Sequence, residues 1–361
     1  MATGESQSLL SESSVSRRNV GVDVARILAI LLVVFQHILF LGGLENDGGA
    51  LRRLSARFLE AMSQCCVDLF GLISGYMGYR TATWHLRRFA GLWFQVWTTG
   101  LLVLGVMALA GASLVPKDWL QACFPLVKDE YWYFTGYAVV FALAPLVNRL
   151  PCRNALALIL FLIVSVLTCW PGGLAWLPLN KGYSAAWLLL LFLFGAVLRT
   201  VEERLPKKSL FYFLVALGLI TMTVGQRLVL SAVPALRRVF GDEWTLLPYT
   251  SPTTVLTAAA LLLGLAKLEL RSDRVCRMVG LMAPCAFGIY LIHVQPVFFE
   301  QVWKGHFTFL NHVPDALWGA GVVMVAVVVF LFLCGIEWGR LNLMAAFKRL
   351  IRLKGNKEHA T

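Results

Sequence analysis

Residues Gly21–Gly43 read GVDVARILAILLVVFQHILFLGG. After Arg26 this stretch is apolar for long enough to cross the hydrocarbon core of a bilayer, which takes roughly 20 residues as a helix. It nevertheless carries His37 in its interior. Ionisable residues inside membrane spans are costly and usually line a pathway or a site. The stretch therefore predicts both a membrane helix and a functional position on that helix.

The rest of the chain has the same apolar character. Of its 361 residues, 58% are hydrophobic and 14% are charged, whereas soluble domains average about half apolar and about a quarter charged. Hydropathy predicts an all-α polytopic membrane protein with about ten transmembrane helices. The apolar runs are continuous rather than alternating, which argues against a transmembrane β-barrel. The predicted spans cover residues 24–44, 58–79, 89–111, 131–149, 155–171, 184–200, 210–230, 252–268, 280–302 and 315–340.

The distribution of positive charge orients the chain in the membrane. The segments on one side carry about twice as many Lys and Arg as those on the other, and such an excess marks the cytoplasmic side. We therefore expect both termini in the cytoplasm, with a disordered segment at residues 1–19, a transmembrane domain at 20–341 and a basic tail at 342–361. No loop is long enough to form a nucleic-acid-binding domain, so the net charge of +12 predicts no nucleic-acid partner.

Cysteine and histidine spacing gives no sign of a metal site. The eight cysteines lie mostly in apolar runs, without a CxxC motif or a His/Cys spacing typical of zinc. We expect them to pack the membrane core, with neither a bound metal nor a disulfide framework. The polar N-terminal residues precede no cleavable signal peptide, so the first span is expected to act as the insertion signal.

Arg26 and His37 lie on one face of the first predicted helix. Their spacing amounts to about three full turns, and they are separated by about 16–17 Å along the helix axis. Asp23 can pair with Arg26 on that face. A guanidinium near one membrane surface can hold phosphate through its fork of donors. A neutral imidazole deep in the membrane can accept a proton from an attacking hydroxyl.

This arrangement suits a long anionic co-substrate such as coenzyme A, whose phosphates and thioester lie at opposite ends. Other interpretations fit the same residues. Arg26 can be a membrane anchor, and His37 can be a buried imidazole that makes one interhelical hydrogen bond. A proton-coupled transporter could use both.

Five segments, in order, resemble the integral-membrane acyltransferase-3 family. The Arg-x10-His pattern of the family is matched by Arg26 and His37, and four later segments are similar to family segments between residues 58 and 300. These are CCVDLFGLISGYMGY with Asp68, Phe70, Ser74, Gly75 and Tyr76; YWYFTGYAVVFALAPLVN with Trp132, Tyr133, Tyr137, Pro145 and Asn148; LPYTSPTTVL; and FGIYLIHVQPVF with Tyr290 and His293.

The resemblance implies an enzyme that transfers an acyl group, usually acetyl, from cytoplasmic acyl-CoA to hydroxyls of cell-envelope sugars. It implies a multi-pass protein of the bacterial plasma membrane, with acetyl-CoA or another acyl-CoA as co-substrate. The expected partners are the acyl-CoA, an envelope glycan or lipid-linked saccharide, and the lipid bilayer. His37 would be the catalytic base or acyl-transfer residue, and Arg26 would position acyl-CoA.

One family feature is not intact. The family often has Arg-x-x-Arg in the loop after the second span, and here that loop reads YRTATWHLRRFAGLW. Arg87 and Arg88 are therefore candidates for phosphate contacts, and positive-inside anchoring explains them equally well.

The second predicted span supplies further candidates. Asp68 is predicted at the depth of His37, where its carboxylate would orient the imidazole; pairing with another buried polar group is the alternative. Ser74, Gly75 and Tyr76 offer a small-residue surface for the arm of the co-substrate or for close helix packing.

The later spans supply candidates for the acceptor side. Trp132 and Tyr133 are expected either in an interfacial aromatic belt or as a stacking platform for a sugar ring. His293 is expected to line the site. The main rival function is a transporter or flippase that uses His37 and Asp68 as a proton relay, although no internal repeat supports it. A binding-only membrane subunit is the third possibility.

Overall fold

The structure, a computed structural model, describes residues 19–45, 48–125, 131–169, 179–240 and 246–358. Within these ranges the chain is helical and contains no strand. Short 3₁₀ turns join several helices, and a π-helical turn occupies Phe299–Trp303. The α-helices, in chain order, are α1 Val20–Leu41, α2 Ala50–Ser63, α3 Cys66–Gly78, α4 Leu86–Leu109, α5 Pro116–Cys123, α6 Trp132–Val147, α7 Arg153–Thr168, α8 Ala185–Val201, α9 Ser209–Ala232, α10 Pro234–Phe240, α11 Pro252–Ala266, α12 Asp273–Met282, α13 Ala286–His293, α14 Pro296–Phe298 and α15 Asp315–Glu358.

The helices make this a multi-pass membrane protein. Three shorter apolar helices, α6, α7 and α11, lie at predicted spans. The predicted count of ten crossings and the sides of the termini stay predictions, and residues 1–18 lie outside the described part of the chain. Within the described residues, six segments are long and apolar enough to cross a bilayer: Val20–Leu41, Leu86–Leu109, Ala185–Arg204, Ser209–Ala232, Asp273–His293 and Asp315–Phe347.

Three predicted boundaries differ from the structure. The second predicted span is two helices, because α2 ends at Ser63 and α3 begins at Cys66. At this break the side chains of Ser63 and Cys65 donate to backbone carbonyls three residues earlier, which competes with a continuous helical ladder. The α-helix of the ninth predicted span ends at His293, shortly before Pro296, and not at residue 302. The last helix continues well past residue 341.

The first helix lies at the centre of the bundle. It packs against α2, α3, α11, α12, α13 and α15. Its start is tied to the end of α11, because the Asn19 side chain accepts from Val22 N and donates to Ala266 O at 3.0 Å. A helix held on several sides presents its side chains at fixed positions, so the α1 residues that face a cavity are well ordered.

Glycines allow α3 and α8 to approach closely. A Cβ on Gly75 would lie 1.8 Å from Phe192 O, and a Cβ on Gly195 would lie 2.2 Å from Leu72 O. Small residues of this kind let membrane helices pack backbone to backbone. The contact fixes the wall of the bundle that α3 forms beside α1.

We predict that Gly75→Ala destabilises the protein by about 1–3 kcal/mol, because the added methyl group meets backbone atoms that cannot move aside. Gly218→Ala in α9 is the matched control, because a Cβ added at Gly218 would have no atom of the described structure within 4 Å, apart from its own helix backbone and chain neighbours. Denaturant unfolding in detergent micelles measures both. Equal stability of the two variants would contradict the close packing of α3 and α8.

Candidate active site

A cavity of about 750 Å³ runs along α1. Its wall includes Arg26 near the start of the helix, His37, and Leu41 at the helix end. The rise from Arg26 to Leu41 is about 22 Å, which is most of the roughly 30 Å thickness of a hydrocarbon core. Glu60 of α2 and Gln64, directly after α2, line the cavity at the far end from Arg26. We call its two ends the Arg26 end and the Glu60 end.

Arg26 and His37 line this same cavity, as their helical spacing predicts. Arg26 Nη1 donates to Asp23 Oδ1 at 2.7 Å, so the expected pair forms. The other N–H groups of Arg26 have no acceptor among the described residues. Arg26 is also the single Lys or Arg side chain among the described residues that line the cavity. This end of the cavity is therefore suited to an anion.

His37 is held by a second histidine. His37 Nδ1 lies 3.1 Å from His293 Nε2, and His293 Nδ1 lies 2.7 Å from the backbone oxygen of Ile289. The ring centroids of Phe299 and His37 are 5.5 Å apart, and those of Trp303 and His293 are 5.3 Å apart. His293 is fully buried behind His37 and does not itself form part of the cavity wall.

The direction of these hydrogen bonds determines the tautomer of His37. The Ile289 oxygen only accepts, so His293 Nδ1 carries a proton and donates it. Burial without a counter-charge favours a neutral His293 ring, whose Nε2 is then an acceptor. His37 therefore donates from Nδ1, and the unprotonated lone pair of its neutral ring lies on Nε2. A base with this tautomer can take a proton from a hydroxyl in the cavity.

Asp68 does not have the predicted partner. Its Oδ1 accepts from Trp187 Nε1 of α8 at 3.0 Å, its Oδ2 has no hydrogen-bond partner in the described part of the chain, and the side chain is fully buried. The prediction that Asp68 orients His37 is therefore wrong, because His293 holds that nitrogen. Asp68 instead follows the alternative, because it pairs with another buried polar group, the indole of Trp187, and this hydrogen bond joins α3 to α8.

Of the residues Ser74, Gly75 and Tyr76, the first lines the cavity and the other two make packing contacts. Ser74 lines the cavity, and its hydroxyl donates to Phe70 O at 2.9 Å. Gly75 is at the α3–α8 contact, and Tyr76 OH accepts from Arg199 Nη1 at 3.1 Å. Of the three, Ser74 remains a candidate contact for the arm of a co-substrate.

The two arginines of the following loop lie outside the cavity. Arg87 and Arg88 are exposed in the first turn of α4. Leu92, about one turn later on the same helix, lines the cavity. The pair can therefore contact only a part of a ligand that extends beyond the cavity.

Trp132 and Tyr133 both line the cavity, together with Tyr137 from the next turn of α6. Trp132 packs against Tyr183 with ring centroids 5.0 Å apart. The two residues thus belong to the cavity wall, where they are available to a ligand, rather than only to a lipid-facing belt.

Comparison with known families shows what kind of protein contains this cavity. Residues 19–336 match the family model Acyl_transf_3, described as an acyltransferase domain. The chain belongs to the acyltransferase-3 family. Comparison with curated proteins and with solved structures finds no match. The match covers most of the chain, so the cavity with Arg26 and His37 lies in an acyltransferase.

The acyltransferase has polar residues at the Glu60 end that the sequence analysis did not single out. Gln36 Nε2 donates to Gln64 Oε1 at 2.8 Å, and Tyr249 OH donates to Gln36 Oε1 at 3.3 Å. Glu60 forms an ion pair with Arg227 of α9. The signal that identified His37, an ionisable residue within an apolar span, also applies to Arg227 but not to Glu60, because α2 is a polar helix.

The described residues of the acyltransferase contain no group of three or more His, Cys, Asp or Glu side chains that could hold a metal ion.

We predict that His293→Leu lowers kcat for acyl transfer about 10–100-fold, the usual effect of removing a group that orients a reacting imidazole. His293→Gln should retain most of the activity, because a Gln oxygen can accept from His37 Nδ1 as Nε2 does. Initial-rate kinetics of the two variants in nanodiscs measure this, with KM for the acyl donor expected to be unchanged.

A purely structural role predicts a different result. If the Gln variant loses as much kcat as the Leu variant while both keep the unfolding temperature of the wild type, His293 does not set the tautomer of His37.

Proposed function

We propose that this acyltransferase moves an acetyl group from cytoplasmic acetyl-CoA to a hydroxyl of an envelope polysaccharide or a lipid-linked sugar, in the bacterial plasma membrane. The observation that carries the proposal is one cavity lined by both Arg26 and His37. An acyl group carried by a long anionic molecule needs a cation at one end of its site and a base at the other.

In this proposal the donor occupies the Arg26 end. The N–H groups of Arg26 that have no acceptor within the described ranges bind a phosphate of coenzyme A, and a guanidinium binds phosphate through paired hydrogen bonds. Arg87 and Arg88 contact the parts of coenzyme A that extend out of the cavity. The pantetheine arm follows α1 past Ser74 and brings the thioester to His37, about 16–17 Å along the helix.

His37 Nε2 then takes the proton of the acceptor hydroxyl while the oxygen attacks the thioester carbonyl. The carbon–sulfur bond breaks, the oxygen–carbon bond forms, and the thiolate of coenzyme A receives the proton from His37. The products are an acetyl ester and coenzyme A. His293 keeps the His37 ring in the orientation and tautomer that this step needs.

The charge distribution supports entry of donor and acceptor from opposite ends. The Arg26 end lies at the start of α1, on the side where Lys and Arg predominate and which we assign to the cytoplasm. The acceptor then reaches His37 through the Glu60 end. The transporter alternative is not favoured, because the family match is to an acyltransferase domain.

We predict that His37→Ala lowers acetyl transfer about 10²–10⁴-fold, the usual contribution of a general base. His306→Ala is the matched control, because His306 is exposed and outside the cavity wall. Transfer of labelled acetyl from acetyl-CoA to an envelope glycan extract, with protein in nanodiscs, measures both. Full activity of the His37 variant would refute its assignment as the base.

We predict that Arg26→Leu raises KM for acetyl-CoA about 10–100-fold, because charge-assisted hydrogen bonds contribute about 1.5–3 kcal/mol each. The matched control is Arg274→Leu, which removes an exposed arginine of α12 outside the cavity wall. A change in acceptor KM with no change in donor KM would place Arg26 at the wrong substrate.

A further inference from the structure

We infer that the Glu60 end of the cavity is a binding site for an uncharged sugar ring, the acceptor whose hydroxyl His37 deprotonates. The inference rests on the proposed function and extends it to residues with no assigned role: Gln36, Glu60, Gln64, Tyr183 and Tyr249. Their hydrogen bonds, charges and ring positions identify the ligand class.

The first observation is a pair of buried amides beside the base. Gln36 and Gln64 are 6% and 8% exposed. Gln36 Nε2 donates to Gln64 Oε1, and Gln36 Oε1 accepts from Tyr249 and from Cys66 Sγ. Both amide oxygens are thus occupied, whereas Gln64 Nε2 has no partner among the described residues and Gln64 lines the cavity. A residue with an available amide donor therefore belongs to the wall of the cavity that His37 also lines.

The second observation is a carboxylate with one oxygen available. Glu60 Oε2 accepts from Arg227 Nη1, and Glu60 Oε1 has no partner among the described residues. Glu60 lines the cavity, whereas Arg227 does not. A donor and an acceptor beside each other, Gln64 Nε2 and Glu60 Oε1, match adjacent hydroxyl groups, because each hydroxyl both donates and accepts.

The third observation is a corner of aromatic rings next to these groups. Trp132 and Tyr183 have centroids 5.0 Å apart at 55°, and Tyr183 and Tyr249 have centroids 5.0 Å apart at 58°. All three rings line the cavity. Ring faces offer flat apolar area with polar tips, which suits a ligand that has C–H groups on its faces and hydroxyls around its edge.

The charges at this end favour an uncharged ring. The charged residues of the cavity wall are Arg26, at the other end, and Glu60, whose charge is balanced by Arg227. A carboxylate on the sugar would lie near Glu60 with no unpaired cation in the described wall. Placing an unpaired anion in such a site costs free energy, so a uronate should bind less well than the corresponding neutral sugar.

The test compares two acceptors that differ only at C6, methyl glucoside and methyl glucuronide, with labelled acetyl-CoA and full-length protein in nanodiscs. We expect the wild type to have the larger kcat/KM for the glucoside. Glu60→Gln leaves Arg227 without its partner and removes the anion, so the glucoside-to-glucuronide ratio should fall at least tenfold. Glu269→Gln is the matched control, because it breaks an exposed ion pair outside the cavity wall and should leave the ratio unchanged.

A second variant covers the case in which Glu60→Gln fails to fold. Gln64→Leu should raise KM for the glucoside at least tenfold and leave KM for acetyl-CoA unchanged. Leucine has no amide donor, so the variant loses the hydrogen bond to the sugar hydroxyl. Unfolding temperatures of all variants identify those that are folded.

The outcomes separate this inference from the proposed function. Three results would each overturn the sugar subsite alone. They are an unchanged glucoside-to-glucuronide ratio in a folded Glu60→Gln variant, an unchanged KM for the glucoside in Gln64→Leu, and a wild-type preference for the glucuronide. Wild-type protein that labels neither glycoside but labels an envelope glycan extract also overturns only the subsite. Wild-type protein that labels none of them contradicts the proposed function as well.

Discussion

The hydrogen bond from His37 to His293 is the contact on which the proposed catalytic geometry depends. It joins the central helix α1 to α13, and the Ile289 oxygen behind His293 gives the pair its direction. A single imidazole in an apolar bundle can adopt either tautomer and can rotate. Because His37 Nδ1 is hydrogen-bonded to His293, the lone pair of His37 Nε2 is available to a ligand. The rest of the site is arranged around that one nitrogen.

Several other polar side chains of the bundle are paired, and an unpaired polar group inside a membrane is costly. Glu337 of α15 is fully buried and accepts two hydrogen bonds of 2.6 Å from Arg340, with Gln95 of α4 at 3.2 Å. Its carboxylate packs on Gly288, where a Cβ would lie 1.9 Å from Glu337 Cδ. Pairs such as this join the helices that surround the cavity. Arg26, in contrast, lines the cavity and has N–H groups without an acceptor among the described residues, which the proposed function assigns to a phosphate.

In the proposed function, the length and polarity of the cavity let it hold two substrates. Each end carries an ion pair, Arg26 with Asp23 and Glu60 with Arg227, but the wall exposes the guanidinium at the Arg26 end and the carboxylate, with amides and phenols, at the Glu60 end. The remaining guanidinium N–H donors suit the phosphate-bearing donor of the proposal, and the amides and phenols suit its uncharged acceptor. His37 lies between these ends on α1, where the two reacting groups would meet.

The sequence alone determined the helical membrane fold, the family and the shared face of Arg26 and His37, because hydropathy and helical periodicity are local properties that survive in any packing. It could not determine partners. His37 and His293 are 256 residues apart, and Glu60 and Arg227 are 167 apart. Asp68 was a reasonable partner for His37 by depth, yet depth along a helix axis does not say which way a side chain points. That choice belongs to the tertiary structure, because the rotation and contact of each helix are set by packing such as the glycine contact between α3 and α8.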